Sequence, residues 1–264
     1  MNIQQYYHKA AVISLNASLA SLIPPFFLLV YSLMLVPPKV VIGFSIPFLI
    51  YSFISFQAYV MNQKRANEIG EMDRSEVTSA DSLFQQRVMS ITFLPAPSLR
   101  VLFFNSAGCV LGEIRDIHSQ SYRWFLPYFI DRLSRYKHYG LYDHQNEVIA
   151  FFSMSRKKVV IQCEGKQSEL LFNHKASSNH IEFMNEESGK SYYVERARMY
   201  MDYKIFINSS VEAVSLKKGW MPASWGHQIK DANIPFLTIN RELSSDDQLA
   251  VFAMIAFHLR THNH

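Results

Sequence analysis

The chain has 264 residues, 26 Lys+Arg against 22 Asp+Glu, a formal net charge of +4 and two cysteines. The near balance excludes the strong basic excess expected of a nucleic-acid-binding domain. Cys109 and Cys163 are too few for a disulfide framework and read as buried apolar thiols. The averages hide an uneven distribution. From Met1 to Asn67 there is no Asp or Glu, and before Lys64 the only Lys or Arg are Lys9 and Lys39.

Two apolar segments fill this opening stretch. Ala10 to Val36 (AAVISLNASLASLIPPFFLLVYSLMLV) and Val40 to Met61 (VVIGFSIPFLIYSFISFQAYVM) each hold the roughly 20 apolar residues a spanning helix needs, with no charge in either. Pro37-Pro38-Lys39 suffices only for a tight turn between antiparallel helices. Pro24-Pro25 and Pro47 would break soluble helices, but membrane helices tolerate them with a kink. Ser18-Leu19-Ala20 weakly resembles a signal-peptide cleavage site. Apolar residues continue past it into a second span, which favours a retained hairpin. Lys9 precedes the first span, while Lys64 and Arg65 follow the second. Positive flanks favour the cytoplasm, so the expectation is a two-span protein of the cell membrane with both termini cytoplasmic. Asn208-Ser209-Ser210 matches a glycosylation sequon, and a sugar there would reverse that topology.

The expected domains are a transmembrane hairpin over residues 1–65, a polar linker over 66–82 and a soluble domain over 83–264. In the last of these the rhythm changes to short β-branched and aromatic runs separated by turn-formers. Val101–Phe104, Cys109–Ile114, Gly140–Tyr142, Val148–Ser153, Val159–Cys163 and Glu169–Phe172 read as successive strands. His180–Met184, Ser191–Glu195, Tyr203–Ile207, Val211–Leu216 and Phe236–Ile239 continue the series. Local hairpins in this order predict an antiparallel meander closed into a barrel, which leaves no long edge exposed.

The C-terminal segment departs from this pattern. Ser245-Asp246-Asp247-Gln248 fits a capping box with Ser245 as cap. Leu249–Phe257 (LAVFAMIAF) is then apolar at every position, so a helix there must be wrapped on all sides. It is too short to span a bilayer. The predicted fold is mainly β, a barrel threaded by a buried C-terminal helix, plus the N-terminal α-hairpin.

Hairpins of the LYDHQNEVIAFFS kind followed by PFLTINRELSSDDQLAVFAMIAFHL resemble the tubby C-terminal-like superfamily over roughly Phe84 to Leu259. That superfamily includes tubby proteins, phospholipid scramblases and LURP-one-related proteins. The resemblance implies a closed antiparallel barrel around a hydrophobic C-terminal helix. Calcium dependence does not carry over, because Asp246-Asp247 does not match the scramblase calcium segment. The tubby phosphoinositide-binding cations match no particular positions here, and the N-terminal hairpin is no part of the common fold.

Lipid-binding candidates are Arg156, Lys157 and Lys158, the densest basic run, together with Lys64 and Arg65 beside the second span and Trp124. Trp124 belongs to Tyr122–Tyr139 (YRWFLPYFIDRLSRYKHY), where aromatics alternate with cations as in interfacial segments. The bland alternatives are a solvated turn for the basic run and rim-filling aromatics for the second. Trp220 to Gly226 reads as an indole-rich cap on a barrel end. His258 and His262 stand four apart without a carboxylate or cysteine partner at ligand spacing and read as a polar tail, so no metal or cofactor is expected. No GxSxG elbow or glycine-rich phosphate loop is present, which disfavours an enzyme. The expected function is a membrane-anchored cytoplasmic binding or scaffolding module that recognises anionic lipid headgroups or a membrane-associated protein at the inner leaflet. The alternative is a lipid-scrambling or transport component resembling the scramblases. Membrane lipids are the expected partner, and nucleic acid is not.

Overall fold

The computed structural model describes residues 1–32, 38–69, 82–96, 98–118, 136–155, 157–173, 180–185, 187–196, 202–208, 211–219 and 221–260. They form two compact units, Asn2–Met72 and Asp73–His264, the latter with Met1.

The first unit is a helical hairpin. Helix α1 (Ile3–Ser21) opens on a capping box in which the Gln5 N–H donates to Asn2 Oδ1 at 2.8 Å and the Asn2 N–H donates to Gln5 Oε1 at 3.1 Å. The helix breaks at Leu22 and resumes as α2 (Ile23–Ser32). Pro24 and Pro25 fall in the first turn of α2, where their missing N–H groups forfeit no intrahelical bond. The third helix, α3 (Pro38–Glu68), runs through Pro47 for 31 residues. Helical structure thus starts earlier than the predicted span, near residue 3. Ile3–Ser32 and Val41–Glu68 are long and apolar enough to cross a membrane.

Polarity in this unit is inverted relative to a soluble protein. Along α1 and α3 the side chains of Ser18, Ser21, Ser45, Ser52 and Ser55 are at most 9% exposed, whereas Phe26, Phe27, Phe44 and Phe53 are 63% or more exposed. Ser18 and Ser52 clasp the two helices. Their hydroxyls lie 3.0 Å apart, and each also reaches the other's backbone carbonyl, at 3.0 and 3.1 Å. Small hydroxyl residues let helix backbones approach and supply interhelical bonds, as at interfaces between membrane helices. The Gln4 amide closes the open end by donating to the carbonyls of Ala66 and Ile69.

The second unit is a closed barrel of twelve antiparallel strands. They are β1 (Val88–Phe93), β2 (Arg100–Phe104), β3 (Val110–Asp116), β4 (Lys137–Asp143), β5 (Val148–Met154) and β6 (Lys158–Cys163), then β7 (Lys166–Asn173), β8 (His180–Asn185), β9 (Ser191–Arg196), β10 (Tyr203–Ile207), β11 (Val211–Lys218) and β12 (Pro235–Ile239). Each pairs with its sequence neighbour, and β12 closes on β1 with Leu237 opposite Met89. Eleven of these strands match the sequence expectation to within a few residues. β1 was not among those predicted.

Helix α4 (Ser245–Leu259) threads the barrel, with every residue from Asp247 to Leu259 buried. Phe252 sits edge-on to Phe103 of β2 at 5.2 Å, and Phe257 edge-on to Phe183 of β8 at 5.5 Å. An all-apolar surface has no other stable environment in water, and twelve inward-facing strand surfaces provide it. The predicted cap is corrected by one residue. Ser244 is the N-cap, and its hydroxyl accepts from the Asp247 N–H at 3.2 Å. The shift makes Asp247 the third helical residue and turns its carboxylate toward the strands. His258 is also corrected, from a polar tail to a buried side chain stacked on Tyr203 at 5.4 Å. Trp225 lies on the connection between β11 and β12. It lies in a 3-10 turn (Ala223–Trp225) and packs edge-on against Phe236 at 5.1 Å, in a small core separate from the interior one. His262, His264 and Trp220 lie outside the described residues.

Candidate functional site

In an up-and-down barrel every second turn lies at the same end. The turns following β4, β6 and β8 therefore surround the N-terminus of α4, and local hydrogen bonding fixes each of them. Asp143 Oδ1 accepts from the N–H groups of Gln145 and Glu147, at 2.9 and 2.8 Å, which bends the chain into β5. Cys163 pairs with Lys166, leaving a two-residue loop in which Glu164 and Gly165 both have positive φ, 47° and 79°. This is the loop conformation that matches strand twist, and it lifts Glu164 onto the rim. Asn185 Oδ1 accepts from the N–H groups of Glu187 and Ser188, at 3.0 and 3.1 Å, and Gly189 completes the turn at φ 64°.

The helix start is locked to these turns through Asp247. Lys190 Nζ donates to both of its carboxylate oxygens at 2.8 Å, the Tyr192 hydroxyl donates at 2.8 Å, and the Ser244 hydroxyl donates at 2.7 Å. Burial acts to raise the Asp247 pKa, but these bonds and the Lys190 charge outweigh it and hold the carboxyl below its usual range. Burial first, and then the same contact with Asp247, push the Tyr192 phenol up, so it remains a hydrogen-bond donor. The Cys163 thiol is likewise raised, first by burial and then by the charges of Glu164 and Asp246.

Between the turns and α4 opens a funnel of about 900 Å³. Its floor includes Phe84, Ile149, Ala150, Ile161 and Leu249. Its described charged lining is Asp143, Glu147, Glu164, Glu187, Asp246 and Asp247 against Lys166 and Lys190, six carboxylates to two ammonium groups and a formal charge of −4. Below it the helix fills the axis. A void of about 10 Å³ lies beside His258 near the far end.

The residues singled out from the sequence lie elsewhere. The turn after β5, where Lys157 sits, is at the opposite end of the barrel from the funnel. Lys158 pairs with Glu169 of β7 at 3.1 Å, whereas exposed Lys157 has no ion pair among the described residues. The Arg260 guanidinium, just past α4, donates to the Ser155 carbonyl at 3.1 Å and anchors the helix C-terminus to that turn. In the hairpin unit, Lys64 faces Glu68 at 3.8 Å with 77% of its side chain exposed, and Arg65 lies over the Tyr7 ring at 5.9 Å. Arg156 and Trp124 lie outside the described residues. The funnel residues escaped notice because they are single carboxylates on separate turns, each unremarkable in its own neighbourhood. The signal was their recurrence on alternate turns.

No protein-family model matches the chain, and searches of curated proteins and of solved structures return no match.

Proposed function

We propose that this chain is a membrane-anchored binding module. Its hairpin sits in the lipid of the cell membrane with both termini cytoplasmic, and its barrel acts on ligands at its ends and outer surface. The observation that carries the reading is the inverted polarity of the hairpin, with serines inside and large aromatics outside. In water that arrangement would leave a large apolar surface unpaid, whereas in lipid it is the low-energy one. A binding role on the barrel exterior, rather than an enclosed lipid cavity, is supported by α4, which occupies the space a carried ligand would need. The proposal includes membership of the tubby C-terminal-like fold, whose barrel around a C-terminal helix has the same arrangement.

At the barrel end that carries the turn after β5, the ligand we propose is an anionic lipid headgroup, drawn by Arg156, Lys157 and Lys158. Lys64 and Arg65 beside the second span, and Trp124, are proposed separately as further lipid contacts. Each basic residue near an anionic surface adds on the order of 1 kcal/mol, and the contribution falls with salt. The test uses residues 73–264, a unit with its own core, checked for folding by near-ultraviolet circular dichroism. Co-sedimentation with phosphatidylserine-containing vesicles should exceed that with pure phosphatidylcholine. It should drop when Arg156, Lys157 and Lys158 are changed together to alanine. Equal sedimentation with both vesicle types, or no effect of the triple change, contradicts the headgroup assignment.

A further inference from the structure

We propose that the funnel around the N-terminus of α4 is a binding site for a cationic amphiphile, a protonated amine carried on an apolar stem. This site is independent of the headgroup assignment at the other end of the barrel.

Size, shape and charge each narrow the choice. About 900 Å³ falls within the range of small-ligand sites. The funnel is a dead end, because α4 packs the axis beneath it from Ala250 onward. A closed-bottomed recess takes one stem and offers no through-path for a peptide chain. Beside the polar group of Asn185, Tyr192 and Asp247, its buried lining residues are Ala150, Ile161 and Leu249, so the floor takes an apolar stem.

The rim sets the sign of the charge. A helix N-terminus ordinarily draws an anion. Here that demand is already met within the chain by the Ser244 cap and by Asp246 and Asp247 in the first turn. Asp143 is committed to its turn, and Asp247 is committed to Lys190, Tyr192 and Ser244. Glu147, Glu164, Glu187 and Asp246 remain on the exposed rim with no ion pair among the described residues. Among the described lining residues, Lys166 is the one cation outside the Asp247 cluster. Carboxylates held around a recess with a low-dielectric floor focus a negative potential into it, which attracts a cation and repels a phosphate or carboxylate. The upward push that Glu164 and Asp246 exert on the Cys163 thiol has the same sign. Val148 (45% exposed) and Phe151 (39% exposed) extend the lining with apolar surface that a stem longer than the funnel would cover.

The test uses the full chain in phosphatidylcholine nanodiscs, with empty nanodiscs subtracting partition into lipid. Calorimetric titrations compare octylammonium with octanoate (same stem, opposite charge), octanol (stem without charge) and tetramethylammonium (charge without stem). Octylammonium should bind with saturation, and the other three should be weaker by about tenfold or more, since each lacks one of the two complementary features. Changing Glu147→Gln, Glu164→Gln and Asp246→Asn together should weaken octylammonium by about tenfold and reduce the salt dependence of its binding, with Glu187 still on the rim. These three side chains are exposed with no ion pair among the described residues, and only Asp246 supports the helix N-terminus, by about 0.3–1 kcal/mol, so the melting temperature should fall by no more than about 4 °C. Ile161→Phe is the second variant and narrows the floor. It should weaken octylammonium and leave rim affinity for tetramethylammonium unchanged. No saturable octylammonium binding, octanoate binding equally well, or an unaltered affinity in the triple variant each overturns the proposal. Tighter binding of an oligolysine peptide than of octylammonium also overturns it, in favour of a protein partner.

Discussion

Replacing Asp247 by alanine isolates the contact that ties the threading helix to the barrel wall. The carboxylate receives bonds from Lys190, Tyr192 and Ser244, all at 2.7–2.8 Å. Their losses differ in weight. Tyr192 is 1% exposed, so its orphaned hydroxyl stays out of water at about 1–3 kcal/mol. Lys190 is 38% exposed and can rehydrate, so the lost ion pair adds at most about 1 kcal/mol. Losing the acidic residue beside the helix N-terminus adds about 0.5–1 kcal/mol. The expected destabilisation is thus about 3 kcal/mol. For a domain of this size that corresponds to a fall in melting temperature of about 6–12 °C. Urea unfolding of the full chain in detergent, followed by near-ultraviolet circular dichroism, measures it directly. Asp247→Asn keeps an acceptor for Tyr192 and should recover about half the loss. In a double-mutant cycle, Tyr192→Phe removes the orphan, so Asp247→Ala should cost about 1–2 kcal/mol less in that background. A loss below about 0.5 kcal/mol, or strict additivity with Tyr192→Phe, would refute the reasoning.

Acid titration tests the same carboxylate. Its native pKa is depressed below the reference value of 3.8, so its stabilisation is complete above that value and is lost as the pH falls through the native one. The difference between wild type and Asp247→Asn should accordingly shrink below about pH 4. Gly112→Ala would place a Cβ 2.7 Å from the Tyr142 carbonyl oxygen and 3.2 Å from Leu83 Cδ2. The first of these atoms is backbone on the neighbouring strand, so β3 and β4 must part, at a cost of about 1–3 kcal/mol in urea unfolding. Phe252→Ala empties the barrel axis opposite Phe103, with an expected loss of about 3–5 kcal/mol. Ser52→Ala removes two of the three interhelical contacts of the clasp and should weaken hairpin packing by about 0.6 kcal/mol, read by thermal unfolding in bicelles.

The barrel was legible because its information is local. Each β-hairpin carries its own turn signal, such as Glu164-Gly165, and the all-apolar LAVFAMIAF has one stable environment. Two features were less visible. Strand β1 pairs with β12 across some 150 residues, and its sequence VMSITF is flanked by no hairpin turn of its own on the β12 side. The cap lies at Ser244 rather than Ser245 because the position of Asp247 is set by Lys190 and Tyr192, more than fifty residues away. The funnel was hidden for the same reason. Asp143, Glu164 and Glu187 become neighbours only when alternate turns are gathered at one barrel end. The basic run, by contrast, was conspicuous in sequence, yet Lys158 is partly neutralised by Glu169 on the adjoining strand.

The lipid setting of the hairpin is read directly by depth-dependent quenching. Phe53, 63% exposed on α3, becomes a reporter as Phe53→Trp in a background where Trp124, Trp220 and Trp225 are phenylalanine. In liposomes its emission should be blue-shifted, strongly quenched by lipids brominated on the acyl chain and insensitive to aqueous iodide. Red-shifted emission quenched by iodide and indifferent to brominated lipid would mean that this aromatic face meets water or protein, and the membrane anchor would be lost.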